Sequence, residues 1–68
     1  MMKLKDLKNI LEHPLPRYTI WITLFDINTG DAIMDLCTIG YAMNNFGECI
    51  VNIIYPEDDC LVIGIAVD

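Results

Sequence analysis

The sequence predicts an α+β domain, in which a four-stranded, mainly antiparallel sheet built from two hairpins carries an N-terminal helix and a short middle helix, in the order α-β-β-α-β-β. Three observations point to this class. The apolar period is helical before Pro14 and Pro16 and becomes two after them. Turn-forming residues interrupt the β-like runs at Asp26, Asn28 and Gly30 and again at Pro56-Glu57-Asp58-Asp59. The runs on either side of those breaks are rich in Ile, Val, Thr and aromatic residues, which suit a pleated, half-buried surface.

Residues 2–12 form the first expected helix. Leu4, Leu7, Ile10 and Leu11 fall on one face, and Lys3, Lys5, Asp6, Lys8, Asn9 and Glu12 occupy the rest. Pro14 and Pro16 end it, because proline has no N–H and restricts the residue before it, so residues 13–17 read as a stiff connector. Strands are expected at 18–25 and 32–36, joined by the Asp26–Gly30 turn into one hairpin, and at 49–55 and 60–67, joined by the acidic turn into a second. Between the hairpins, Thr38 can cap a short helix through Ile39, Tyr41, Ala42, Met43 and Phe46, with Gly47 as terminator. Leu4, Leu7, Leu11, Ile20, Ile22, Ile53, Ile63 and Ile65 are the expected core between helix and sheet.

Both faces of the first and last strands are apolar. Leu61, Ile63, Ile65 and Val67 share one side of the last strand, and Cys60, Val62, Gly64 and Ala66 the other. In the first strand Tyr18, Ile20, Ile22 and Leu24 oppose Thr19, Trp21, Thr23 and Phe25. An antiparallel sheet with one wet face alternates apolar and polar residues, so these strands imply that something covers the second face. Trp21, Phe25 and Tyr41 are either core or the anchors of a dimer or partner surface.

The 68 residues make a single domain, 1–68, in which 54% of residues are apolar, against a usual 45–50% or so. A chain this short buries only about 60% of the surface its unfolded form exposes. Surplus apolar surface points to a second copy or another partner, hence the expectation of a homodimer.

Charge is segregated. After Arg17 come eight carboxylates (Asp26, Asp31, Asp35, Glu48, Glu57, Asp58, Asp59 and Asp68) and no Lys or Arg, within a chain of net charge −6. Nucleic acid and anionic membranes are recognised by cations that neutralise phosphate, so such a body excludes both and fits a protein with a basic surface. Glu57, Asp58 and Asp59, with Asp26, Asp31 and Asp35, are the candidate partner-binding residues; the alternative is a structural or assembly module that forms a homodimer, with the charge serving solubility only.

Catalytic and metal motifs are absent from the pattern. Asp26-Ile27-Asn28-Thr29-Gly30-Asp31 opens like a calcium loop, but Gly30 comes one place early and Cys37 stands where a bidentate Glu is required, so turn chemistry explains it. Cys37, Cys49 and Cys60 have neither the even count of a disulfide framework nor zinc-ligand spacing, and read as small buried hydrophobes in a reducing compartment. His13, the single histidine, sits between prolines with no nucleophile suggested beside it. A protein without enzymatic activity or cofactor is expected. Lys3, Lys5, Asp6 and Lys8 interrupt any signal-peptide core, and no apolar stretch reaches the ~18 residues of a membrane span, so a cytoplasmic location is expected.

Met2-Lys3-Leu4-Lys5-Asp6-Leu7, the turn Phe25-Asp26-Ile27-Asn28-Thr29-Gly30, and the stretch from Ile53 through Tyr55-Pro56-Glu57-Asp58-Asp59 to Ile63 together carry a resemblance. The chain resembles a diffuse group of small acidic proteins from phages and prophages of low-GC Gram-positive bacteria. Most members have no assigned activity. Some small acidic phage proteins are inhibitors of host defence, among them anti-CRISPR proteins that occupy the cationic nucleic-acid channel of an effector. The resemblance therefore implies an inhibitor that presents an acidic surface to a cationic site on a host protein.

Overall fold

The computed structural model describes residues 1–12 and 20–67. A 3-10 turn at Leu4–Leu7 runs into a short helix, α1 (Lys8–Glu12); strands β1 (Ile22–Asp26) and β2 (Ala32–Cys37) follow, then helix α2 (Ile39–Phe46) and strands β3 (Ile50–Pro56) and β4 (Leu61–Ala66). The connector expected at 13–17, His13 within it, and the opening residues 18 and 19 of the first expected strand lie outside the described residues.

The expected N-terminal helix divides in two because its first turn is held by tertiary bonds. The backbone N–H of Leu4 donates to Cys49 O and that of Lys5 to Gly47 O, each at 2.9 Å, while Met2 O accepts from Val51 N–H at 2.9 Å. Asp6 completes the entry by accepting from Lys3 N–H at 2.9 Å. These bonds fix the tighter 3-10 geometry over the first turn, and the i→i−4 pattern takes over only at Lys8.

The two hairpins form as expected, but the sheet they build is mixed. Its order is β2-β1-β4-β3: β1–β2 and β3–β4 are antiparallel, and the central pair β1–β4 is parallel, with Ile22 opposite Leu61 and Leu24 opposite Ile63. The chain leaves β2 at one edge and crosses through α2 to β3 at the other. The strands that are apolar on both faces thus take the centre, and those carrying Asp35, Asn52 and Pro56 take the edges.

Thr38 caps α2 as its position suggested, its Oγ1 accepting from Tyr41 N–H at 3.1 Å. Gly47 ends the helix for a reason of space, since its φ is −58° and an added Cβ would lie 2.5 Å from Met43 O. The β1–β2 turn is held by its own polar groups: Asp26 Oδ1 accepts from Asn28 N–H at 2.9 Å, and Gly30, at φ 78°, donates to Asp26 O at 2.7 Å.

Leu4, Leu7 and Ala42 from the helical layer close on Ile22, Leu24, Cys37, Ile63 and Ile65 from one face of the sheet, and all are buried. Leu11 and Val51 pack partly buried against them. Two expected core positions are corrected. Ile53 is 43% exposed, because Asn52 is an extra residue in β3: Val51 pairs with Ile65 and Ile53 with Gly64, and this bulge turns Ile53 to the other face. Ile20 is half-buried and lies before β1, which begins at Ile22 rather than at residue 18. No helix among the described residues is long and apolar enough to cross a membrane.

Candidate interaction surface

With both helical elements on one side, the other face of the sheet is uncovered by the described residues. Alternation along the strands puts Thr23 and Phe25 of β1, Val62 and Gly64 of β4, and Ile53 and Tyr55 of β3 on it. Gly64 is required there by close approach. A Cβ at this position would lie 2.6 Å from Ile53 Cγ2 and 2.7 Å from Phe25 Cζ, so the two side chains close over the glycine from either neighbouring strand. Trp21 stands just before β1 on the same side, 42% exposed, and its carbonyl accepts from Leu61 N–H at 2.8 Å, which fixes the backbone that carries the indole.

Beside Trp21 the face opens into a groove of ≈ 470 Å³, lined by Thr23, Cys60 and Val62 from the central strands, by Asp35 and Leu36 from β2, and by Glu57, Asp58 and Asp59. An adjoining hollow of ≈ 350 Å³ is lined by Trp21, Leu36 and Asp59. Leu36 reaches both because of a second bulge. Ile22 is opposite Cys37 and Leu24 opposite Met34, which leaves Asp35 and Leu36 to face Thr23 alone. Leu36 takes φ 51°, a left-handed conformation uncommon for a branched side chain, and is 46% exposed. Within the groove Thr23 Oγ1 lies 3.4 Å from Cys60 Sγ.

Four of the candidate acids thus converge. Asp35, Glu57, Asp58 and Asp59 line one groove, although Asp35 is more than twenty residues from the others in sequence. Asp26 and Asp31 do not join them. They belong to the turn that follows β1, at the other end of the sheet, where the Asp26 carboxylate serves the turn itself. Glu48 is also apart, accepting from Lys3 Nζ at 2.9 Å and Lys5 Nζ at 2.7 Å. The hydrogen bonds from Lys5 and Lys3 hold the Glu48 carboxyl down at about 2, and Glu48 in turn raises the Lys5 ammonium above its ordinary value. Lys3 and Lys5 flank Glu48 and Lys8 begins α1, and no cation lines the groove among the described residues.

The three aromatic candidates separate as well. Trp21 and Phe25 share the uncovered face, whereas Tyr41 lies on α2 in the helical layer, 41% exposed, and cannot join them in one surface. Leu36, Val62 and Ile53 complete the apolar part of the face; none of them was a sequence candidate for an interface, and Ile53 was expected in the core. For Leu36 and Ile53 no sequence signal was present, because each owes its place to a bulge. Val62 was legible as a second-face residue by parity.

Chemically, the groove offers carboxylate acceptors beside an exposed indole and aliphatic side chains. That combination suits a guanidinium or ammonium group, which can pair with a carboxylate while its flat or aliphatic part rests on apolar surface. No group of three or more His, Cys, Asp and Glu side chains among the described residues is placed to hold a metal ion. Burial pushes the Cys37 thiol up, which disfavours its thiolate in the core. No family model, no curated protein and no solved structure matches this chain.

Proposed function

We propose that this chain is a non-catalytic binding protein whose uncovered sheet face receives a basic site on another protein, and that it acts as a phage-type inhibitor by occupying that site. The observation that carries the reading is the convergence of Asp35 from β2 with the Glu57–Asp59 turn around one groove, next to exposed Trp21 and Leu36. Acids serving solubility alone have no reason to gather from separate strands beside apolar surface. Here the carboxylates steer a cationic partner toward the face, and the apolar residues provide the area that holds it.

The test is an NMR titration of the isotopically labelled protein with a tetra-arginine amide peptide at low ionic strength. Saturable shifts should centre on Trp21, Asp35, Leu36 and residues 57–60. Shifts of equal size at Asp26 and Asp31, or none that saturate, would show that the acidity attracts cations without a site.

A further inference from the structure

The outer edge of β3 is a feature distinct from the groove, although the Glu57–Asp59 turn borders both. Leu61 N–H donates to Trp21 O and Ile65 O accepts from Ile27 N–H, so the odd-numbered residues of β4 turn their backbone groups to β1. Val62 and Gly64 therefore face β3, and through the pairings Tyr55–Val62 and Ile53–Gly64 they satisfy Tyr55 and Ile53. Ile54 and Pro56, opposite Ile63 and Leu61, are left with their backbone groups pointing off the edge of the sheet. Pro56 has no N–H to lose there, whereas Ile54 offers both a donor and an acceptor.

The same edge is already occupied further along. Met2 O accepts from Val51 N–H, and Leu4 N–H donates to Cys49 O, so the N-terminal segment lies antiparallel along residues 49–51, and Met1, fully exposed, is off the edge. Among the described residues, what remains open is a short slot at residues 53–56, with Ile53, Ile54 and Tyr55 each about two-fifths exposed. No charged residue protects it, although edge strands usually carry one.

We infer that this slot is filled by the β3 edge of a second copy of the chain, antiparallel about a two-fold axis at Ile54. In that register each Ile54 N–H donates to the other copy's Ile54 carbonyl, and Ile53 of one copy sits across from Tyr55 of the other on the uncovered face. Charge selects the direction. The ends of the slot differ, since Lys3 and Lys5 flank the residue 50 end and Glu57, Asp58 and Asp59 follow directly from Pro56. Lys3, Lys5 and Lys8 are the lysines of the whole chain, and all are in this N-terminal segment. Antiparallel pairing brings each acidic turn toward the other copy's lysine-bearing segment, whereas parallel pairing sets acid against acid. The result is a continuous eight-stranded sheet in which the β1, β2 and β4 walls of each groove lie away from the seam, while Glu57–Asp59 border both the groove and the seam.

Analytical ultracentrifugation from micromolar to millimolar protein, with hydrogen exchange at the Ile54 amide, tests this. The expected result is a concentration-dependent dimer with Ile54 exchange slowing at least tenfold as it forms. Ile54→Pro removes a donor that no bond among the described residues uses, so the monomer should keep its circular-dichroism spectrum while self-association weakens at least tenfold. Ile54→Lys, which keeps the N–H, provides the same test should the proline variant misfold. A strict monomer at millimolar concentration overturns the inference, as does a dimer that survives both changes but is lost on Trp21→Ala.

Discussion

Ile63 and Ile53 look interchangeable in sequence, both being β-branched and both in apolar strands, yet the fold gives them opposite fates. Ile63 is fully buried in β4 between Leu24 and Ile54, whereas Ile53 lies 43% exposed beyond the bulge at Asn52. Truncating Ile63 to Ala removes three carbons, a transfer loss of about 2.4 kcal/mol at about 0.8 kcal/mol per methylene. The cavity left among Leu4, Leu24 and Ile65 raises this into the range of about 2–5 kcal/mol seen for such truncations. At roughly 0.05–0.15 kcal/mol per residue the whole domain is stable by only about 3–10 kcal/mol, so Ile63→Ala should bring it near the point of unfolding. The same truncation at Ile53 loses about half as much transfer and opens no enclosed cavity, for a cost of about 1 kcal/mol. Urea unfolding followed by circular dichroism at low micromolar concentration reads both. Equal shifts in midpoint for the two variants would mean that Asn52 is not a bulge and that the register of β3 is wrong.

Three further outcomes are expected. Gly47→Ala should destabilise the domain by about 1–3 kcal/mol in thermal unfolding, because the new Cβ meets a backbone carbonyl, Met43 O. Gly40→Ala, at a helical position with open space around it, should stabilise by about 0.5–1 kcal/mol, and a matching loss at both would remove the steric explanation for Gly47. The Glu48 carboxyl is held at about 2 against an ordinary 4.5, so its contribution is complete above about 4.5 and disappears as pH falls toward 2. A Glu48→Gln variant should therefore lose less melting temperature than the parent between pH 5 and pH 2; parallel pH curves would show that the Lys3–Glu48–Lys5 contact contributes nothing to stability.

What the sequence made legible was whatever depends on near neighbours. The passage from a helical to a strand period, the polar turn at Asp26–Gly30, the Thr38 cap and the two hairpins rest on local preference, and the described residues contain helical turns before residue 13, strands from Ile22 on, the turn, the cap and both hairpins. The parallel contact of β1 with β4 does not. It depends on how one hairpin docks beside the other, and the only local hint is that both strands are apolar on both faces. Bulges defeat pattern reading in a different way. One inserted residue at Asn52 exchanges the faces of everything after it, which is why Ile53 reads as core and lies outside. The same applies to Leu36, whose exposure follows from a left-handed backbone that no composition rule would assign to leucine. As for the site, the acidic residues were visible as residues, but their sorting was not. Asp35 joins Glu57–Asp59 only through the strand order, while Asp26 and Asp31 are sent to the far end by the same topology.

The most direct measurement compares two sets of charge removals on the binding of the tetra-arginine amide peptide at two ionic strengths. In one variant Asp35→Asn, Glu57→Gln, Asp58→Asn and Asp59→Asn empty the groove of charge; in the other, Asp26→Asn and Asp31→Asn remove acids from the opposite end. If the groove is the binding site, the first variant loses at least tenfold in affinity and most of its salt dependence, and the second stays within about twofold of the parent once the smaller change in long-range field is allowed for. Losses that scale only with the number of charges removed, wherever they lie, would contradict a localised site and leave the acidity of this chain a matter of solubility.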